Sequence, residues 1–136
     1  MKFKLLTPTA KAPTKGTDGS AGYDLYVDDV EWHRHSQMVK YGVSVEIPKG
    51  YVGLIIERSS LHHRDIKIMN TLGVIDSDYR GELMTPVMIP NHTMVVNGER
   101  LTQLVVVPCL NTPVEIVEEL SNTERGEGGF GSTGSN

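Results

Sequence analysis

Met38-Val-Lys-Tyr-Gly-Val-Ser-Val-Glu-Ile47 decides the fold class. Val39, Tyr41, Val43, Val45 and Ile47 alternate with Met38, Lys40, Gly42, Ser44 and Glu46, the period-two pattern of a strand with one buried face. Pro48-Lys49-Gly50 then reads as a turn, and residues 51–56 resume extended structure. Residues 83–89 form another predicted strand. Pro86 inside it has no N–H to give a ladder, which predicts an edge or a bulge. Residues 94–96 run into Asn97-Gly98, a hairpin signal. Residues 101–107 and 114–117 complete the set. No window carries an i, i+3, i+4, i+7 apolar stripe, so helix is expected to be short or absent. Many short strands between turn signals imply an all-β jelly roll or barrel.

A chain of 136 residues supports one domain with a substantial core. A compositional break near Ser121 divides an expected core, residues 1–120, from a glycine-rich tail, residues 121–136. The net charge of −4 argues against nucleic acid as a partner, which would call for a basic face. No run approaches the ~18 apolar residues of a membrane span, and Met1-Lys-Phe-Lys-Leu-Leu6 lacks a signal-peptide core, so no membrane association is expected. The single cysteine, Cys109, cannot form an internal disulfide, which favours a reducing compartment and a cytoplasmic location. Its apolar neighbours Val105, Val106, Val107 and Leu110 predict a small core residue.

The tail reads Arg125-Gly-Glu-Gly-Gly-Phe-Gly-Ser-Thr-Gly134. Glycine lets successive backbone N–H groups turn toward an anion, and arginine adds a planar fork of donors. Phe130 has no core of its own to enter and supplies one flat apolar ring. Phosphate donors beside an aromatic lid suggest a nucleotide. Gly126-x-Gly128-x-x-Gly131 has the dinucleotide-binding spacing without a following helix, and Ser132 stands where a phosphate loop requires lysine. Taken alone, the segment leaves disorder and ligand grip both open.

Four other segments are unlike ordinary strand or turn sequence: Ala21-Gly-Tyr-Asp-Leu25, Arg58-Ser-Ser-Leu61, Gly73-Val-Ile-Asp-Ser-Asp-Tyr-Arg-Gly81 and Gly98-Glu-Arg-Leu-Thr-Gln-Leu104. With the tail, their order and spacing resemble the five motifs of the all-β, homotrimeric deoxyuridine triphosphatases (dUTPases), from about Ala21 to Gly134. The resemblance implies an enzyme that hydrolyses dUTP to dUMP and pyrophosphate with Mg²⁺.

On its own chemistry Asp76 is either a turn-capping residue or a carboxylate that orients and deprotonates water. An ordinary aspartate is a weak base, so position must do most of the work. The resemblance implies the second role, with attack on the α-phosphorus. It puts Arg58, Ser59 and Ser60 on the phosphates and Gln103 beside them. Tyr79 would pack on the deoxyribose and exclude a 2′-hydroxyl by clash. Asn70 matches an asparagine on the uracil edge, but an amide can flip to suit cytosine. Discrimination is therefore expected from fixed backbone groups of a hairpin over residues 70–75, Val74 and Ile75 included, with Met84 flanking. Asp24 matches an aspartate that holds Mg²⁺ through water, as suits a hard ion reluctant to shed its shell. Arg100 reads as structural, tying its motif to a neighbour. In the tail, Phe130 would stack on uracil, while Arg125, Gly126, Gly131, Ser132 and Thr133 would grip the phosphate end. The family's tail closes over a site formed with other subunits.

The chain departs from the family pattern at Glu57, which stands for proline, and at Ser60, which stands for glycine. His62 and His63 resemble a metal pair, but neighbours on a strand point to opposite faces, so surface histidines are expected. The dCTP deaminases share the fold and an Arg-Ser-Ser-Leu segment. Their catalytic glutamate aligns with Pro86, which cannot transfer a proton. A third reading is a regulatory protein using a dUTPase body to bind a partner. Asp28-Asp-Val-Glu-Trp-His-Arg-His35 fits no motif, and its Trp32 could serve that role.

Overall fold

The structure is a computed structural model that describes residues 1–34, 36–91 and 93–129. Among these, ten strands follow in chain order: β1 (Lys2–Leu5), β2 (Gly22–Tyr26), β3 (Asp29–Trp32), β4 (Gln37–Lys40), β5 (Val43–Glu46), β6 (Tyr51–Glu57), β7 (Lys67–Ile68), β8 (Gly73–Ile75), β9 (Met84–Met88) and β10 (Arg100–Pro108). Helix is confined to one 3-10 segment, Ser59–Arg64. The strands form two four-stranded sheets, ordered β2-β10-β6-β8 and β3-β4-β9-β7, with β1 pairing β5 alongside. Every pairing is antiparallel. The all-β, jelly-roll-like class expected from the periodicity is the class observed.

The deciding stretch buries the alternating set it was expected to bury. Val39, Tyr41, Val43, Val45 and Ile47 are all 3% exposed or less. It is two strands, however, not one. β4 pairs with β3 and β9, whereas β5 pairs with β1. Between them Gly42 has φ +62°, and a Cβ there would lie 2.7 Å from both Ala10 Cβ and Asp28 Oδ2. Only glycine meets both demands, so the chain can change sheets there without losing its alternation.

At the same joint, Tyr41 crosses the core. Thr102 Oγ1 donates to Tyr41 Oη at 2.6 Å, and Tyr41 Oη donates to Thr85 Oγ1 at 2.9 Å. This chain of buried hydroxyls ties β10 of one sheet to β9 of the other. Burial pushes the Tyr41 phenol up to about 12, against the opposing effect of its two hydroxyl partners.

Other expectations need correction. Pro86 lies in β9, an inner strand between β4 and β7. Its carbonyl accepts from Met69 N–H at 2.9 Å. A strand residue's N and O point the same way, so the missing N–H faces the end of the two-residue β7. Asn97-Gly98 does turn, with Gly98 at φ +84°, but residues 94–96 form no strand. Gly98 N–H instead reaches Val27 O, just past β2. Residues 114–117 are likewise no strand, because no neighbour pairs with them: Val114 and Ile116 are 87% and 91% exposed. Cys109 is exposed, since β10 leaves the core at Pro108. His62 and His63 lie on the 3-10 segment, not on a strand, and their exposed rings meet at a tilt of 42° with centroids 3.6 Å apart.

Candidate active site

The predicted site residues fall into separate groups. The first sits on the sheet β2-β10-β6. Asp24 pairs Gln103, and Gln103 pairs Ile56 on the far side, so the three share one face. Arg58, two residues beyond Ile56, joins that face. Gly22 leaves room for this arrangement: a Cβ there would lie 2.2 Å from Gln103 Oε1. Gln103 Nε2 donates to Glu57 O at 3.3 Å.

Asp24 is only 7% exposed and carries two guanidinium groups. Arg58 Nε is 2.8 Å from Oδ1, and Arg100 Nη1 is 3.0 Å from Oδ2. Arg58 Nη1 also donates to Arg100 O at 3.1 Å. Two cations on one carboxylate leave a net positive patch on an acidic chain, which suits an anionic ligand. Arg100 does tie its motif to a neighbour, and that neighbour is Asp24 of the same chain. By parity with Thr102 and Leu104, both fully buried, Arg100 should face the core. A register shift between Arg100 and Thr102 turns it to the Asp24 face. Ser59 and Ser60 follow Arg58 as exposed residues of the 3-10 segment.

A second group surrounds β8. β8 is an edge strand, so one side of its backbone is free to meet a ligand. Residues 70–75 are not the expected hairpin: β7 pairs only with β9 and β8 only with β6, so they form a corner between the two sheets. Asn70 lies at its exposed tip, where Leu72 N–H turns back to Asn70 O and Thr71 takes φ +60°. That value is rare for a β-branched residue and marks local strain. Val74 is 59% exposed, whereas the Ile75 side chain packs in the core and only its backbone can meet a ligand.

After β8, Asp76 begins a tight turn in which Tyr79 N–H donates to Asp76 O at 3.1 Å. Arg80 Nη1 braces the turn by donating to Ser77 O and Tyr79 O, each at 2.8 Å. Tyr79 Oη donates to Glu82 O at 3.0 Å, and its ring lies over Gly81, where a Cβ would clash at 2.2 Å. One face of Tyr79 is thus held by its own loop; Tyr79 and Met84 are both 40% exposed. Asp76 is exposed and lines an open groove of about 820 Å³ together with Lys49, Tyr51, Asp78, Arg80 and Cys109.

The two groups do not meet at one point on this chain. Ile75 pairs Gly53 on β6, so Asp76 stands one step further back, level with Val52, and Arg58 follows Val52 by six residues. At ~3.3 Å per residue that places Asp76 about 20 Å from Arg58 along the strand. This is too far for both to act on one phosphorus. The third predicted group is on the C-terminal arm. Residues 108–127 are all exposed. Arg125 Nε donates to Gly128 O at 2.9 Å, and Gly126 has φ +50°. Phe130, Gly131, Ser132 and Thr133 lie outside the described residues. Among the described residues no three His, Cys, Asp or Glu side chains gather as a metal cluster.

Sequence reading missed the parts played by Gly22 and Glu57. The i, i+2 relation of Gly22 to Asp24 was a usable signal for the first. For the second, the sequence showed only a departure from the family's proline, without its partner.

Comparison with known proteins gives consistent matches. The dUTPase family model matches residues 9–134. The deoxyuridine 5′-triphosphate nucleotidohydrolase of Escherichia phage T5 is 52% identical, covering 99% of this chain and 99% of that protein. The Candida albicans protein of the same name is 42% identical, covering 100% of this chain and 89% of its own length. Among solved structures, a variant dUTPase of Staphylococcus bacteriophage 80alpha with dUpNHpp aligns with a TM-score of 0.84 at 29% identity, covering 98% of each chain. A variant dUTPase from phage phi11 of S. aureus, described as revealing the coordination of a structural Mg(II) ion, aligns with a TM-score of 0.74 at 26% identity, covering 87% of this chain and 96% of that one.

Proposed function

Because this chain belongs to the dUTPase family and hydrolyses dUTP to dUMP and pyrophosphate, we propose that each of its active sites is assembled from more than one copy of the chain. The observation that carries this is the separation of Asp76 from the Asp24–Arg58–Gln103 face. A base must stand within hydrogen-bond reach of the attacking water, while the charge-neutralising groups must touch the same phosphate. One chain offers these at opposite ends of β6. A second copy, placing its Arg58 end against the first copy's Asp76 groove, offers them together. The arm supports the same reading. Leu110, Val114, Ile116 and Leu120 are each at least 87% exposed, and apolar groups of this size gain stability only by covering something. A homotrimer of the family type gives them that cover.

In the assembled site, Asp76 orients and deprotonates the water that attacks the α-phosphorus. Arg58, Gln103, Ser59 and Ser60 hold the phosphates against it, which is the positioning and charge neutralisation that phosphoryl chemistry depends on. The free edge of β8, with Asn70, Val74 and Ile75, reads the uracil through backbone groups whose polarity cannot invert. Tyr79, fixed over Gly81, presses the deoxyribose and excludes a ribose hydroxyl, with Met84 at the flank. The tail, residues 121–136, closes over the core of residues 1–120: Phe130 covers the base, and Arg125, Gly126, Gly131, Ser132 and Thr133 receive the γ-phosphate.

The donors present suit Mg²⁺. Asp24, the carboxylate on the phosphate face, would hold such an ion through its waters, as suits a hard cation reluctant to shed its shell. When bound, Mg²⁺ supplies charge neutralisation at the triphosphate. The exposed, unpaired thiol of Cys109 suits a reducing compartment, the cytoplasm. No helix of the described residues is long and apolar enough to cross a membrane.

Subunit mixing tests the shared site. Asp76→Asn and Arg58→Ala chains, each inactive alone, should regain pyrophosphate release when unfolded and refolded together. Failure to regain any would return the whole site to a single chain. Release compared across dUTP, dCTP, dTTP and UTP checks the substrate. A second reading, a protein partner bound beside the catalytic activity, is favoured by Trp32 alone. It is 68% exposed on the edge strand β3.

A further inference from the structure

Glu57 occupies the junction between the two halves of the molecule. Its backbone belongs to the last residue of β6, directly before Arg58, and its carbonyl accepts from Gln103 Nε2. Its side chain reaches the other sheet, where Glu57 Oε1 accepts from Ile68 N–H at 2.8 Å. Ile68 is the last residue of β7 and stands two residues before Asn70. The corner that follows has little ladder of its own. Met69 N–H is held by Pro86 O, Leu72 N–H turns back on Asn70 O, and Thr71 is strained at φ +60°. A strained corner keeps its shape only where its surroundings over-determine it. The Glu57 carboxylate crosses from β6 to Ile68, the residue directly before that corner. Proline, which the family pattern has at this position, offers no side-chain acceptor.

We propose that Glu57 is a positioning residue for base selection, holding the corner of residues 69–72 so that the edge of β8 presents fixed backbone groups to uracil. The inference rests on the base-reading role given above to β8 and its corner. Preference for uracil over cytosine depends on donors and acceptors that cannot shift, because a mobile corner could re-pair with the exchanged pattern of cytosine.

The test combines amide hydrogen exchange with kinetics on the full-length enzyme. Glu57→Ala should speed exchange at Ile68 and cut the dUTP-over-dCTP ratio of kcat/KM by about tenfold, mainly through KM for dUTP, the scale of one lost charge-assisted hydrogen bond. Glu57→Gln keeps a carbonyl acceptor and should retain both protection and preference. Should the alanine variant not fold, Glu57→Pro, also without the acceptor, should shift both readouts the same way. Faster exchange with an unchanged ratio would overturn the proposal, as would unchanged exchange. Titrating the unaltered enzyme with dUMP separates the underlying reading. If the amides of Leu72 and Val74 do not move, β8 does not read the base, and the proposal falls with it for that distinct reason.

Discussion

Arg100 Nη1 meets Asp24 Oδ2 at 3.0 Å because β10 carries one extra residue on its way to Thr102. The bulge rotates a side chain that parity would send into the core onto the face where Arg58 already holds the other carboxylate oxygen. The charge of Asp24 is thereby compensated twice in a nearly buried position.

Arg100→Ala should leave Asp24 with Arg58 as its one cation and bind that guanidinium more firmly. Since the Arg100 side chain is 45% exposed, solvent screening limits the stability loss to roughly 1–2 kcal/mol. KM for dUTP should rise because Arg58 is less free to meet phosphate. Arg100→Lys, with charge but no planar fork, should fall between the two. Thermal melting and steady-state kinetics on the three proteins check the order.

Asp76→Asn removes the base and keeps the shape of the turn, which is held by backbone groups and by Arg80. We expect kcat to fall by about 10²–10⁴-fold. Affinity for a non-hydrolysable dUTP analogue, measured by calorimetry, should stay nearly unchanged.

Deleting residues 125–136 should lower kcat/KM about 10- to 100-fold, the scale of one aromatic stacked on a base. The melting temperature should hardly move, because the deletion leaves the arm, residues 109–124, in place and removes no strand of the described residues. A large fall in melting temperature would instead make the segment part of the folded body.

Tyr41→Phe deletes the middle of the buried hydroxyl chain, leaving Thr102 without its acceptor and Thr85 without its donor. The cost should be roughly 1–3 kcal/mol. Its pH dependence has a definite sign. The phenol is raised from 10.0 to about 12 in the folded protein, so its contribution is complete below pH 10 and disappears between pH 10 and pH 12. That loss amounts to roughly 2–3 kcal/mol. Melting curves across this window should show a steeper decline for the unaltered protein than for Tyr41→Phe.

The alternation around Tyr41 was enough for the fold class, because it depends only on which side chains leave water. It could not show the change of sheet at Gly42, which is a backbone matter. Residues 114–117 have the composition of a strand without a partner, and composition does not report pairing. The motifs put Arg58 and Gln103 at the phosphates and Asp24 at the metal, and the strand register is what brings the three together. The motifs could not show the bulge behind Arg100 or the separation of Asp76 from Arg58, since both follow from register. Glu57 was visible only as a departure from a pattern. Its partner, Ile68, emerged once the two sheets were seen to meet there.

The last strand among the described residues, β10, lies inside its sheet. β10 separates β2 from β6, so the first phosphate-face residue, Asp24, gains both its pairing strand and its second arginine from a segment that follows it by 76 residues. Until residue 108 has left the ribosome, this sheet has no centre, and β2 and β6 have no common neighbour to align them. Assembly of the phosphate face is therefore deferred until β10 has been made. A product cut short before residue 100 exposes unpaired apolar strands, a form suited to clearance by proteases.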